Sequence, residues 1–194
     1  MGVSLMTQFR MFGDVPLSRA SLSSKMIVTL FLLSLLMAFG VGVLNIWDKT
    51  GLTVQTKIWR YRGAEEGAAA TETPSHEAAE LYFPRSLSEL IELTHDHTFD
   101  MAMLLLMVGH LFQLTSWPER LKQVVWLVSF VAMFLFIWSP WVIKYVSPAG
   151  AILLIAGELL LMVSFLTLTI VPLYEMWWVR PTTQQRPPRM ERYT

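Results

Sequence analysis

Residues 150–174 read GAILLIAGELLLMVSFLTLTIVPLY, twenty-five consecutive positions with one charged side chain, Glu158. At about 1.5 Å per residue, a helix of this length exceeds the ~30 Å hydrocarbon core of a bilayer. Barrel strands would instead alternate over ~10 residues. The stretch therefore predicts a membrane-spanning helix and excludes a β-barrel. Working outward, three more apolar blocks of similar length occupy residues 26–47, 93–115 and 124–143. The last three blocks are separated only by Ser116-Trp117-Pro118-Glu119-Arg120 and Lys144-Tyr145-Val146-Ser147-Pro148, which read as tight turns.

The whole chain agrees with its blocks. Of 194 residues 54% are hydrophobic and 15% charged, and mean hydropathy is +0.46, which does not fit a water-soluble surface. The expected fold is an all-α integral membrane protein with four transmembrane helices. Block 26–47 reads as a helix rather than a signal peptide: the 25 residues before it are long for an n-region and no A-x-A pattern follows.

Basic residues set the orientation, because cytoplasmic segments retain Lys and Arg near helix ends. Nine lie on one side (Arg10, Arg19, Lys25, Arg120, Lys122, Arg180, Arg186, Arg189, Arg192) and six on the other (Lys49, Lys57, Arg60, Arg62, Arg85, Lys144). Ten of the fifteen acids fall outside or at the outer boundary. Both termini, residues 1–25 and 175–194, are thus expected in the cytoplasm, with residues 48–92 forming one outer, periplasmic loop of about 45 residues. Bacterial inner membrane is the expected location. Trp47, Trp117, Trp138, Trp141, Trp177 and Trp178 sit at predicted helix ends, where amphipathic rings meet the interface.

Within the outer loop, residues 52–61 alternate enough to predict one strand or an extended strip. The Ala/Glu/Gly stretch 63–73 reads as flexible. With so few large apolar residues the loop cannot bury a core of its own, so its order must come from the membrane surface or a partner. Ser86-Leu87-Ser88-Glu89 is a capping box opening a helix that continues into the second span.

Composition also limits the chemistry. Fifteen basic and fifteen acidic residues balance, giving no field or basic face to recommend nucleic acid as a partner. Without cysteine there are no disulfides, iron–sulfur clusters, thiolate zinc sites or haem c. A metal or cofactor must use His, Met or carboxylate. The densest polar group lies at the outer end of the second span: Glu92, His95, His97 and Asp100 are candidate metal ligands, and His95, His97 and His110 candidate haem b ligands. On a helix Glu92, His95, Asp96 and Phe99 share one face, while His97, Asp100 and Met101 share another. Glu92-x-x-His95 has the spacing of di-metal carboxylate bundles, which need that pair on two helices; here it occurs once. A bis-histidine haem needs a second ligand from another helix, and no other predicted span has a histidine. The competing reading is a helix end rich in interfacial polar residues.

Glu158 is the one carboxylate well inside a predicted span. An ionisable group at such depth is costly and faces the bundle or a partner. It is a candidate proton or ion site, or a bonded structural residue with Trp141, Lys144 or a histidine of the second span as its partner. No broken-helix repeat supports a transporter.

Three segments, Thr94-His95-Asp96-His97, Gly109-His110-Leu111-Phe112 and Leu173-Tyr174-Glu175-Met176-Trp177, resemble a family of bacterial four-helix membrane proteins. In that family Ser/Thr-His-x-His opens the second helix, Gly-x-Leu/Ile-Phe ends it, and a Leu-Tyr-x-Met-Trp-like string closes the last. The likeness covers about half of the chain. It implies the His95/His97 pair, the four-helix architecture and an association with electron-transfer membranes. Some relatives carry Cys-x-x-Cys-His in the first outer loop, which has no counterpart here, and His110 stands where the family pattern is apolar.

The leading functional expectation is an accessory integral subunit of a bacterial energy-transducing complex, respiratory, photosynthetic or a membrane oxidase. It would have no catalytic activity of its own, and its partners would be other membrane subunits, the lipid bilayer and a possible quinone or pigment. The alternative is a haem- or metal-binding electron-transfer protein using His95 and His97. A weaker third reading is a proton-coupled transporter using Glu158.

Overall fold

The computed structural model describes residues 17–49, 51–64 and 83–179. The readings of residues 1–16 as part of a cytoplasmic segment, of 65–73 as most of the flexible stretch 63–73, of His76 in the outer loop, and of 180–194 as cytoplasmic tail lie outside the described residues. Among the described residues a 3-10 turn at Leu17–Arg19 is followed by five α-helices: α1 (Leu22–Lys49), α2 (Val54–Arg62), α3 (Leu87–Gln113), α4 (Glu119–Trp141) and α5 (Gly150–Trp178). There are no strands among the described residues. Among the described residues three helical stretches, α1, α4 with the turn that prolongs it to Val146, and α5, are long and apolar enough to cross a membrane.

Local chemistry sets the helix ends. Ser86 Oγ accepts from the Glu89 backbone N–H at 3.2 Å, and the Ser86 N–H donates to Glu89 Oε2 at 2.6 Å, completing the predicted capping box at the start of α3. Pro118 stands at the N-cap of α4, where a missing N–H costs nothing. Pro140 has no N–H to offer the preceding turn of α4, and the helix continues as one π-helical turn at Val142–Val146. The α5 helix runs past the predicted end at residue 174 to Trp178, with Glu175 and Met176 buried.

Residues 52–61 do not form the expected strand: Val54–Arg62 is helical. Val54, Ile58 and Tyr61 follow the i, i+4, i+7 rhythm of a helix; Val54 at its start is exposed, and Lys57 lies with Ile58 and Tyr61 on the inner stripe. Lys57, Ile58 and Tyr61 are all buried. This segment also finds its order within the chain, because Ile58 and Tyr61 pack with Leu90, Ile143, Ala151 and Leu154.

A larger core joins α1, α3, α4 and α5 around Leu32, Leu105, Val108, Phe112, Met133 and Phe165. The α4 and α5 backbones approach closely: a Cβ added at Gly157 would stand 2.8 Å from the Phe136 amide nitrogen, and one at Gly150 would stand 2.8 Å from that of Ile143. Small residues permit such crossings where lipid supplies no hydrophobic drive between helices. At the other end of the bundle, Lys25 Nζ donates to the Met176 carbonyl at 2.7 Å, and the Trp177 indole donates to Thr29 Oγ1 at 3.0 Å. A cation among the last carbonyls of α5 also opposes the negative end of its dipole. Apart from these ties α1 is the outermost helix, with Leu32 its one buried residue.

Candidate functional site

Glu158 lies about 12 Å along α5 from Gly150, at ~1.5 Å per residue. Its partner comes from α2: Lys57 Nζ is 2.5 Å from Glu158 Oε1, and the two side chains are 2% and 9% exposed. The second carboxylate oxygen, Oε2, is buried without a hydrogen-bond partner among the described residues. Two of the expected partners, Trp141 and Lys144, are engaged elsewhere. The Trp141 indole donates to Thr94 Oγ1 at 2.7 Å, and Lys144 Nζ donates to the Arg85 carbonyl.

Two features hold α2 where Lys57 can reach. Its apolar residues fill the outer cluster, and Arg62 Nε donates to the Ile143 carbonyl at 2.5 Å. Burial pushes the Tyr61 phenol above its usual range, against the opposing pull of the Arg60 and Arg85 guanidiniums. A buried ion pair of this kind contributes little over an apolar pair of equal shape, whereas removing one partner strands the other at a cost of about 3–5 kcal/mol.

Two cavities meet at this pair. The smaller, about 200 Å³, is bounded by Lys57, Arg60, Tyr61 and Glu158. The larger, about 460 Å³, lies between α1 and α5; Phe39, Met101, Phe136 and Met162 are among its apolar walls, and Glu158 again bounds it. Both share Asn45, His97 and Phe136. Sequence reasoning singled out Glu158 and His97 but missed Lys57. The available signal was the helical spacing of Val54, Ile58 and Tyr61, which puts Lys57 on their face.

The four candidate metal ligands do not converge. Among the described residues no three His, Asp or Glu side chains come together in a group able to hold a metal ion. His97 turns inward, its ring centroid 5.8 Å from that of Phe136. His95 turns outward, 82% exposed, with Nδ1 3.2 Å from Oδ1 of Asp96, itself 59% exposed. Glu92 and Asp100 are exposed as well. His110 is half-buried in the last turn of α3, about 20 Å along the helix from His97 at ~1.5 Å per residue.

At the opposite end of the bundle, Glu175 is buried and accepts from the Ser116 N–H at 2.7 Å and from Ser116 Oγ at 2.9 Å. Lys122, also buried, donates to the Gln113 carbonyl at 2.7 Å. These contacts close the α3–α4 turn onto α5.

Long apolar helices, close small-residue crossings and interior charges that are paired or bonded define an integral membrane protein of all-helical build. Residues 51–183, more than half of the chain, match the model of the Aq_1264_TM family, described as a transmembrane helical domain, and the chain belongs to that family. The matched span takes in α2 through α5 and leaves α1 outside. No curated protein and no solved structure matches the chain.

Proposed function

We propose that the protein is an accessory integral subunit of a bacterial energy-transducing membrane complex, seated in the inner membrane with four spans and both termini in the cytoplasm. The observation that carries this reading is the polar face of α3. About twenty residues are needed to cross the hydrocarbon core, and counted back from Gln113 they reach Thr94. Asp96 and Asp100 then belong to the second span, yet they and His95 point away from their own bundle. Ionisable side chains within a membrane normally face protein or water, so a neighbouring subunit is the natural cover for this face. The Thr94-His95-Asp96-His97 element, one of the three segments that carry the likeness to a family associated with electron-transfer membranes, contributes His95 and Asp96 to it.

The test is purification from native membranes in gentle detergent, with identification of every stoichiometric chain and spectra of the same sample. Co-purification with known redox or proton-pumping subunits is the expected result. A lone, colourless chain overturns the reading. A reduced-minus-oxidised haem band lost in His95→Ala replaces it with the electron-carrier reading, in which the missing ligand comes from a neighbour across the same face.

A further inference from the structure

The larger cavity contains an arrangement that the subunit reading does not use. Glu158 is more than nine-tenths buried and bounds the cavity, yet its Oε2 has no hydrogen-bond partner among the described residues. A buried acceptor left without a donor is unfavourable, and a small turn of the side chain toward the cavity that it bounds lets a bound donor satisfy it. We infer that the cavity between α1 and α5 binds a lipid-soluble hydroquinone, its ring among the apolar walls and one hydroxyl donating to Glu158 Oε2.

Three observations select this class. First, the Lys57 ammonium 2.5 Å from Oε1 already neutralises the carboxylate, so the free oxygen suits a neutral donor better than a cation. Second, Phe39 and Phe136 face the space together with the thioethers of Met101 and Met162. Aromatic rings and polarisable sulfur both favour a flat ring over a plain alkyl chain. Third, the volume of about 460 Å³ is that of a small-molecule site, and the exposed Trp47 and Leu159 at its edge leave it open for a tail to continue into lipid. His97 in the same wall adds a second polar group.

The test uses the full chain in phosphatidylcholine nanodiscs, titrated with 2-decylhydroquinone kept reduced and with its 1,4-dimethyl ether, which has lost both donors. Saturable binding above that of empty nanodiscs is expected, with the ether at least about tenfold weaker, the lower end of what one hydrogen bond to a charged group contributes. Gly42 bounds the cavity and a Cβ there meets nothing within 4 Å, so Gly42→Phe should fill the site, leave thermal stability intact and abolish binding. In the double variant Lys57→Met/Glu158→Leu, an apolar pair that keeps the packing, the two probes should bind alike. The inference is overturned if the wild type only partitions the hydroquinone as empty nanodiscs do, or binds the ether equally well. It is overturned equally by full binding in a folded Gly42→Phe variant, or by a preference for the hydroquinone that survives in the double variant.

Discussion

Lys57 Nζ and Glu158 Oε1 lie 2.5 Å apart across 101 positions of sequence, joining a short helix outside the long apolar blocks to the interior of α5. The pair explains how a segment with too little apolar surface for its own core becomes ordered. Ile58 and Tyr61 supply packing, and the ion pair fixes the register of α2 against α5. It also explains why Glu158 can lie inside a span, since a buried carboxylate with an ammonium beside it escapes most of the cost of an isolated charge.

Breaking the pair from one side should therefore differ sharply from replacing both sides. Lys57→Met strands Glu158 and should lower stability by about 3–5 kcal/mol, while Lys57→Met/Glu158→Leu should recover most of that loss. Denaturation of the three proteins in mixed micelles reads the comparison. Equal loss in the single and double variants would show that the pair does not govern the stability of α2.

Glycines at two positions should respond in opposite directions. At Gly157 a Cβ would press on the α4 backbone, so Gly157→Ala should force α4 and α5 apart and cost about 1–3 kcal/mol. At Gly42 the space is open, and Gly42→Ala should be neutral or should stabilise α1 by up to about 1 kcal/mol through helix propensity. Thermal unfolding of both variants in one detergent gives the sign of each.

The start of α3 should weaken in acid. Hydrogen bonds from the Ser86 backbone and hydroxyl hold the Glu89 carboxyl below its ordinary range, with Arg85 and Lys144 adding to the effect. A carboxyl with a depressed native pKa contributes stability that is fully present above its unfolded pKa and is lost as pH falls through the native one. Amide hydrogen exchange in the first turn of α3 should thus lose protection on acidification, and Glu89→Gln should flatten that dependence. Ser86→Ala should cost about 1 kcal/mol at neutral pH. A first turn whose protection is the same in Glu89→Gln and wild type at every pH would remove the capping box from the account.

How much could be read from the sequence follows the range of the interactions. The long apolar helices are visible because each carries its own signal along contiguous residues, and the Ser86–Glu89 box is visible because both partners lie within four positions. The α2 helix was hidden by its most informative residue: Lys57 counts as polar in any alternation pattern, although it is buried like Ile58 beside it. Its partner is remote in sequence, and no periodicity reports such a pairing. Glu158 announced that it needed a partner but not which one, and Trp141 and Lys144 proved to be bonded to Thr94 and to the Arg85 carbonyl. The histidines were identified as residues of interest, but their separation by two positions turns His97 into the cavity wall and His95 outward.

The subunit reading makes Glu175 structural. Its carboxylate is buried and accepts from both the backbone and the hydroxyl of Ser116, so Glu175→Ala should leave those donors without a partner and cost about 1.5–3 kcal/mol. The bundle should lose thermal stability while hydroquinone binding at the opposite end stays unchanged. A variant as stable as the wild type would contradict this role.

The most direct measurement is a pair of photo-crosslinks in native membranes, with benzoylphenylalanine in place of Phe99 or Phe134. Both positions are exposed, 66% and 52% respectively, but Phe99 lies on the polar face of α3 with His95 and Asp96, whereas Phe134 lies on apolar α4. The account predicts that position 99 joins in high yield to one defined subunit of an energy-transducing complex while position 134 labels lipid. Lipid labelling from both positions would contradict it.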